Sequence, residues 1–327
     1  MINYLEFFFA TGFIFAVISL GLNVQWGFTG LFNAGVAGFV AIGAYTSALL
    51  TSAPVAERVG GLGLPIMIGW IGAVVLSGIA ATVIGFVTLR LREDYLAITT
   101  FGVAIVIQAL LVNQQKLTGG PFGIGLIPKS FEHVASSAGE LLMLNLVMLA
   151  AIVAVVYVAV ETLASSPWGR VLRSIREDSV AAASLGKSVK RYELQAFVLG
   201  SMIMGLGGAL QAHFIGFISP DNYLPLMTFQ IWTMLIVGGS GNNRGAILGS
   251  LVVWGLWSGI GYALGHLIPA AQQARSAALT PILIGVALVL VLLRRPSGLL
   301  PEKRTVSKHI SPTNVSGVDL ASGVARH

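Results

Sequence analysis

The sequence of 327 residues contains no cysteine and few charged residues, since only 10% of it is Asp, Glu, Lys or Arg. Soluble domains carry roughly 25% charged residues, so this chain has too few charges to cover a surface that faces water. The lack of cysteine excludes disulfide bonds and thiolate metal sites. Hydrophobic residues make up 55% of the chain, and this composition indicates that lipid is the solvent for most of the protein.

Patterns typical of catalysis are also missing. The apolar segments contain no Ser-His-Asp arrangement, HExxH motif or carboxylate cluster, so we expect no enzyme activity and no metal site in this chain. Residues 186–188 resemble the end of a phosphate-binding loop, but Ala181 stands where that motif needs glycine. The basic residues are not interleaved with aromatic residues, which argues against nucleic-acid binding. Residues 1–6 lack lysine and arginine, so the first apolar run predicts a retained membrane helix rather than a signal peptide.

Apolar runs long enough to cross a bilayer fill the chain, because a spanning helix needs about 20 mostly apolar residues. They predict an all-α, polytopic membrane protein with about eight to ten membrane elements. The short run at 226–240 and the glycine-interrupted run at 31–52 are candidates for re-entrant or broken helices. We divide the chain into a transmembrane domain, 1–304, and a polar, disordered tail, 305–327. The predicted spans are 6–25, 31–52, 64–89, 94–114, 141–162, 194–218, 226–240, 245–267 and 278–294.

Lysine and arginine are concentrated in the loops on one side of the threaded spans. That side holds loop 163–193, turn 90–93, Arg244 and the segment after the last span. The other side holds only Arg58, Lys116, Lys129 and Arg275. Basic loops stay in the cytoplasm, so we expect the loop and the C-terminus there, and a count of nine spans places the N-terminus outside.

The basic loop at 163–193 carries the signals of two short helices. Ser166, followed by proline, is a favourable helix start. Asp178 or Ser179 can begin a second helix, Gly186 is well placed to end it, and Ser188 can cap the next membrane helix. Val171, Leu172 and Ile175 form an apolar stripe on the first helix. We interpret the loop as a helix-turn-helix platform that fits a groove in another protein. The alternative is a solvated basic loop with no partner.

Four blocks of the sequence match the pattern of a known family. They are Gly21-Leu22-Asn23 through Gly43-Ala44-Tyr45, Asp94 through Thr100 with Leu117 through Pro121, Ser166 through Gly186 with Ala196-Phe197, and Val237-Gly238-Gly239 with Gly241 and Gly245. In these blocks the chain resembles the membrane permease subunit of branched-chain amino acid ABC importers, a group that includes urea and short-amide permeases. It departs from many members at residues 31–37 and by lacking a carboxylate at 102–106.

The resemblance implies a subunit that moves branched-chain amino acids across the bacterial inner membrane by alternating access, driven by ATP. It implies a homologous second permease, two cytoplasmic ATPases that bind ATP and Mg, a periplasmic substrate-binding protein, surrounding lipid, and no cofactor on this chain. The residues expected to couple to the ATPases are Arg173, Arg176, Glu177, Asp178, Ala182, Leu185 and Gly186. The alternatives are urea, short amides or other amino acids as cargo, an ion-coupled secondary transporter, and a scaffold without transport.

Amide side chains within the predicted spans are costly in lipid and tend to face the bundle or a pathway. Such groups can hold both the carboxylate and the ammonium of an amino acid without fixed charge. The alternative is that they join helices through hydrogen bonds. The pathway candidates are Asn23, Gln25, Asn33, Gln108, Gln211 and Gln230. We also expect Asn23 and Gln25 to point in different directions on a continuous helix.

Glycines spaced four apart allow two helices to approach closely, within this chain or against a partner permease. The predicted packing glycines are Gly245, Gly249, Gly255, Gly259, Gly261 and Gly265. All six fall in the predicted span 245–267.

Overall fold

The structure is a computed structural model. It describes residues 2–55, 59–91, 93–132, 134–267, 279, 281–283, 285–286, 289, 293–295 and 297–302. These residues form helices and no β-strand; an isolated bridge joins Ile124 and Ile218. The predicted all-α class is confirmed. The helices are α1 (Ile2–Leu22), α2 (Val36–Thr51), α3 (Ile66–Thr88), α4 (Glu93–Asn113), α5 (Gln115–Thr118), α6 (Ala138–Ser165), α7 (Pro167–Glu177), α8 (Ser179–Ser184), α9 (Val189–Ile215), α10 (Pro225–Gly238) and α11 (Asn243–Leu267). A π-helical turn, Asn23–Gly27, continues α1, and 3₁₀ turns form at Gly120–Phe122 and Pro220–Tyr223.

Six of the described helices are long and apolar enough to cross a membrane: α1 with its π turn, α3, α4, α6, α9 and α11. Helices α2 and α10 are apolar but have 16 and 14 residues. At about 1.5 Å per residue they reach roughly 24 and 21 Å, less than the ~30 Å hydrocarbon core. The predicted short element at 226–240 is therefore confirmed. The run at 31–52 begins with five non-helical residues, 31–35, and then forms one unbroken helix, so the break lies at its start and not within it.

Two predicted segments lie mostly or wholly outside the described residues. The span predicted at 278–294 lies mostly outside the described residues, and the tail at 305–327 lies wholly outside them. The described part of the chain therefore accounts for eight membrane elements, six long and two short.

Helix α9 lies at the centre of the bundle, in contact with α1, α2 and α3. Glycines allow these contacts. A Cβ atom at Gly208 would overlap the carbonyl oxygen of Val40, and one at Gly43 would overlap the backbone of Gly205. Because lipid supplies no hydrophobic force between helices, close backbone packing must hold them together. The glycines thus set the spacing of α2 and α9.

The predicted packing glycines of α11 fall into two groups. Gly245 and Gly249 face α10, where a Cβ at Gly249 would overlap the carbonyl oxygen of Met234. A Cβ at Gly255 would lie 3.4 Å from the ring of Phe8. Within the described chain, a Cβ at the other three positions meets no atom within 4 Å: Gly259, Gly261 and Gly265. The first half of α11 thus packs inside this chain, and the second half leaves its glycines open.

Contacts at one end of the bundle bring together the basic segments that the alternation of predicted spans places on one side of the membrane. Arg176 of loop 163–193 forms an ion pair with Glu302, 2.8 Å between Nη2 and Oε2. Its other terminal nitrogen donates to the carbonyl oxygen of Gly27, at the end of the π turn. Arg244 lines the same groove as Arg170 and Glu302. The arginine-rich end therefore includes the loop, the end of α1, the start of α11 and the last described residues.

The opposite end carries the loops that the alternation of predicted spans places on the other side of the membrane. The amide of Ile127 donates to the carbonyl oxygen of Gly216, just past the end of α9, at 3.1 Å. Lys129 lies beside Gly216. The amide of Val59, which follows α2, donates to the carbonyl oxygen of Lys116 at 2.7 Å. The basic residues named here therefore lie at the end of the bundle that the predicted spans assign to each of them.

Candidate functional site

Helices α7 and α8 form the helix-turn-helix platform predicted in the basic loop. The Oδ1 atom of Asp178 accepts hydrogen bonds of 2.9 Å from the amides of Val180 and Ala181, which caps α8 as expected. Gly186 ends this element with a φ of +78°, a left-handed conformation that favours glycine. The platform is therefore defined by its own local hydrogen bonds.

Two predicted caps differ from the structure. Ser166 stands at the N-cap position of α7, but its hydroxyl donates to the carbonyl oxygen of Leu163 at 2.7 Å and makes no capping hydrogen bond. Ser188 precedes α9 and likewise makes no side-chain cap. Proline at the first position of α7 compensates at that helix start, because it has no amide hydrogen to satisfy.

The platform has one buried and one open face. Leu172, Ile175 and Ala182 are buried against the bundle, so the predicted apolar stripe is mostly a packing face; Val171 is only half-buried. Two apolar side chains face outward instead, Val180 at 74% exposed and Leu185 at 81% exposed. These two side chains leave apolar area uncovered on the outer face of α8.

Arg176 joins the platform to the rest of the bundle. Its two terminal nitrogens bind the carbonyl oxygen of Gly27 and the carboxylate of Glu302. The neighbouring Arg173 donates to the carbonyl oxygen of Ala164 at 3.0 Å. Both arginines were expected to contact a partner protein, and in this structure both bind groups of their own chain. Arg176 in particular connects α7 with the end of α1, so a displacement of α7 would also move the end of α1.

The π turn at the end of α1 aims its polar side chains at different helices, as expected for Asn23 and Gln25. The Nδ2 of Asn23 donates to Asn243 of α11 at 2.9 Å, and its Oδ1 accepts from the amide of Gly241 at 2.9 Å. Asn243 in turn donates to Glu161 of α6 at 2.7 Å. π-Helical turns occur frequently at functional sites because they redirect side chains in this way.

Gln25 faces α9 and the broken segment instead. Its Nε2 donates to the carbonyl oxygen of Phe197 at 2.7 Å and to the hydroxyl of Ser201 at 3.0 Å, and its Oε1 accepts from Asn33 at 2.8 Å. The Oδ1 of Asn33 accepts from the amide of Gly35 at 2.7 Å. Three of the predicted pathway amides, Asn23, Gln25 and Asn33, are 0% exposed. In this conformation they join helices and face no open space.

An aromatic cluster, Trp26, Phe32 and Trp232, covers the break between α1 and α2. Phe32 stacks on Trp232 with ring centroids 4.3 Å apart, and Trp26 lies edge-on to both. The indole of Trp232 donates to the carbonyl oxygen of Asn33 at 2.9 Å, which satisfies a group in the non-helical segment. The sequence analysis missed this cluster, because Trp232 is distant in the chain from Trp26 and Phe32 and no local pattern joins them.

The remaining pathway candidates lie on other helices. Phe101 of α4 contacts Phe229 of α10, with ring centroids 6.3 Å apart. Gln108 lies two helical turns after Phe101, on the same face of α4, and Gln230 adjoins Phe229; both amides are half-buried. The fold therefore brings these two candidates to neighbouring helices. Gln211 of α9 is separate, and its buried Oε1 has no hydrogen-bond partner among the described groups.

His213, the titratable side chain nearest the far end of α9, is held on both sides. Its Nε2 is hydrogen-bonded to the hydroxyl of Ser47 at 2.8 Å and its Nδ1 to the carbonyl oxygen of Pro128 at 2.7 Å. Both ring nitrogens are thus bound within the chain, which gives His213 a structural role. No cluster of three or more His, Asp or Glu side chains that could hold a metal ion occurs in the described ranges.

Comparison with known proteins identifies one family. The family model described as branched-chain amino acid transport system, permease component, matches residues 4–292. The high-affinity branched-chain amino acid transport system permease protein LivM of Escherichia coli K12 is 33% identical over 89% of this chain and 68% of that protein. The probable LivM of Methanocaldococcus jannaschii is 28% identical, over 90% and 92%. LivH of Salmonella typhimurium is 26% identical, over 90% and 94%. No solved structure matches the chain significantly.

Proposed function

The chain belongs to the branched-chain amino acid transport permease family, and we propose that it is the membrane subunit of an ATP-driven importer of branched-chain amino acids. The observation that carries this proposal is the family match over residues 4–292 together with an anchored platform at the arginine-rich end. The match supports the transport role and the cargo. The platform supports a separate protein as the source of energy.

A second, homologous permease is the partner that completes the pathway in this proposal. Relatives named LivM and LivH both match this chain over about nine-tenths of its length, which supports a pair of related subunits. The face of α4 and α10 that carries Gln108 and Gln230 fits the pathway wall, because both helices leave polar side chains half-open there. Amide side chains hydrogen-bond both ends of an amino acid without fixed charge.

Two ATPases on the cytoplasmic side bind the coupling loops of the two permeases, and the platform of α7 and α8 is the coupling loop of this chain. Its exposed Val180 and Leu185 supply apolar contact area, and the Asp178 cap together with the buried side chains of α7 keeps it rigid enough to transmit force. Arg176 passes the displacement on, since it binds the carbonyl oxygen of Gly27 at the end of the π turn. The π turn carries Gln25, whose hydrogen bonds reach both α9 and the break before α2. Alternating access then follows from a shift of these joined elements between two arrangements.

The remaining assignments follow from the same proposal. The arginine-rich end faces the cytoplasm of a bacterial inner membrane by the positive-inside rule, and the opposite end, with Lys116 and Lys129, receives a periplasmic binding protein. ATP and Mg bind to the ATPases, and this chain binds no cofactor and catalyses no reaction.

Uptake by the purified complex tests the proposed function directly. We expect leucine, isoleucine and valine to accumulate in liposomes that hold this chain, its partner permease and the ATPases, when ATP is inside and the binding protein outside. Excess unlabelled urea or acetamide should not reduce this uptake, and a proton or sodium gradient without ATP should not drive it. Accumulation by this chain alone under an ion gradient would contradict the proposal, and competition by urea would change the cargo.

Gly186→Val tests the platform. Its φ of +78° costs valine about 1–2 kcal/mol. A side chain there meets nothing within 4 Å, so no packing is lost. We therefore expect the variant complex to hydrolyse ATP while uptake per ATP falls roughly ten-fold, the equivalent of about 1.4 kcal/mol. Gly186→Asn is the matched control, because asparagine tolerates the left-handed conformation and should keep the wild-type ratio. A wild-type ratio in a correctly inserted valine variant would rule out this coupling role.

A further inference from the structure

Two grooves at the arginine-rich end of the bundle share one residue, Arg244. The first, of about 610 Å³, is polar, and its wall includes Arg170, Arg173 and Glu161. The second, of about 470 Å³, is apolar and is lined by Tyr157, Arg244, Ile247, Leu248, Leu251 and Leu300. A polar pocket that continues into an apolar groove matches the shape of a lipid, with its headgroup beside its acyl chains.

The two grooves lie where a lipid headgroup meets its chains. Arg244 is the second residue of α11 and Tyr157 lies two turns before the end of α6, so both stand near the end of a membrane-capable helix. Residues 244, 247, 248 and 251 follow the spacing of one helix face. An arginine at the end of that face and isoleucine and leucine along it place charge at the membrane surface and apolar area deeper in the bilayer.

Arg244 is exposed, and its guanidinium is held in place from one side only. Its Nε donates to the hydroxyl of Tyr157 at 3.1 Å. Among the contacts of the described residues, neither terminal nitrogen of Arg244 has a hydrogen-bond partner, although Glu161 lies near enough to attract its charge. Both terminal nitrogens can therefore donate to a ligand. This geometry suits the oxygens of a phosphate, which arginine binds in a bidentate manner.

The charge around the polar groove favours an anion. Three arginines and three glutamates line it. One of these glutamates, Glu302, is already neutralised by Arg176, which lies outside the lining. The three arginines therefore face two remaining carboxylates, and the excess is positive. Basic pockets between membrane helices on the cytoplasmic side bind anionic headgroups.

From these contacts we infer that the groove between α6 and α11 is a binding site for one anionic phospholipid, whose phosphate lies on Arg244 and whose acyl chain follows Ile247, Leu248 and Leu251. The polar part of this site also contains Arg173 and Glu177, which belong to the platform of α7. A bound headgroup therefore contacts the platform from the membrane side. The lipid site does not depend on the identity of the transported molecule.

Native mass spectrometry of the full-length chain, purified with its partner subunits in mild detergent, tests the site. We expect one phosphatidylglycerol retained per chain, and at least a ten-fold weaker retention in two variants. Arg244→Gln removes the fork that holds the phosphate, and Leu248→Trp fills the apolar groove. The control Arg90→Gln removes an arginine whose guanidinium stacks on Phe86, away from both grooves, and should retain the lipid as the wild type does.

Two competitors identify the source of the bound group. Phosphatidylcholine with the same acyl chains should displace phosphatidylglycerol only at more than ten-fold higher concentration, and inorganic phosphate should not displace it at all. The proposal fails if phosphatidylcholine competes equally, if phosphate alone displaces the lipid, or if the two groove variants retain lipid as Arg90→Gln does. It also fails if a photo-crosslinker at position 248 captures a protein subunit in place of lipid.

Discussion

Gly249→Val is expected to destabilise this chain strongly, whereas Gly259→Val, the same change on the same helix, leaves it close to wild-type stability. A Cβ at Gly249 would overlap the carbonyl oxygen of Met234 and lie 2.7 Å from the Cα of Gly238. These are backbone atoms of α10, so no side chain can rotate to make room. A Cβ at Gly259 meets nothing within 4 Å in the described chain, and valine there only replaces a glycine within a helix.

The expected difference is large. Forcing α10 and α11 apart costs about 3–5 kcal/mol, which is a large share of the roughly 5–15 kcal/mol that separates folded from unfolded domains. Size-exclusion chromatography and thermal melting of both full-length variants in the same detergent measure it. If Gly249→Val elutes and melts as the wild type does, or Gly259→Val is lost to the same degree, the assigned crossing of α10 and α11 is wrong.

Gln25→Leu should lower the stability of the protein and Gln230→Leu should not, although both replace an amide in a predicted span. Gln25 is buried and hydrogen-bonded to Asn33, Ser201 and the carbonyl of Phe197. Leucine in its place leaves the Nδ2 of Asn33 buried without a partner, and we expect a loss of about 2–4 kcal/mol of stability. Gln230 is half-buried on a short helix and forms no hydrogen bond among the described groups, so its replacement should change stability by less than about 0.5 kcal/mol.

Transport measurements separate the two amides further. If the exposed face of α10 lines the pathway, Gln230→Leu reduces uptake roughly ten-fold, a cost of about 1.4 kcal/mol, while its melting temperature stays that of the wild type. Folded Gln25→Leu protein should keep the wild-type KM, because this side chain faces no open space. The assignment is contradicted if Gln230→Leu transports normally, or if Gln25→Leu raises KM without lowering the melting temperature.

Local signals in the sequence identified the elements of the platform. Asp178 as a cap and Gly186 as a stop depend on side chains and dihedral angles within a few residues, and the structure has both. Ser166 and Ser188 show where local reasoning is insufficient. A serine hydroxyl can also donate to a carbonyl in the preceding turn, as Ser166 does to Leu163, and the sequence pattern is the same in both cases.

The pathway candidates show a different limit. Every amide in an apolar run looks alike in the sequence, because cost in lipid is a property of the residue type. The structure distinguishes them by partner: Asn23 meets Asn243, which is 220 residues away, and Gln25 meets Phe197, which is 172 residues away. Gln108 and Gln230 form no hydrogen bond among the described groups, and both are half-buried, on α4 and α10.

The sequence by itself determined the class of protein, the positions of eight membrane elements, the pair of short helices in loop 163–193 and the end of the bundle at which the arginines gather. These properties depend on composition and on periodicity over a few turns, and both can be read from the sequence alone. Tertiary structure alone decided which glycines meet a backbone, which amides are buried, and that Arg176 binds Gly27 and Glu302, 149 and 126 residues away. The physical reason is that burial and hydrogen-bond partners are set by which helices adjoin, and in lipid that choice depends on close backbone contacts between distant segments.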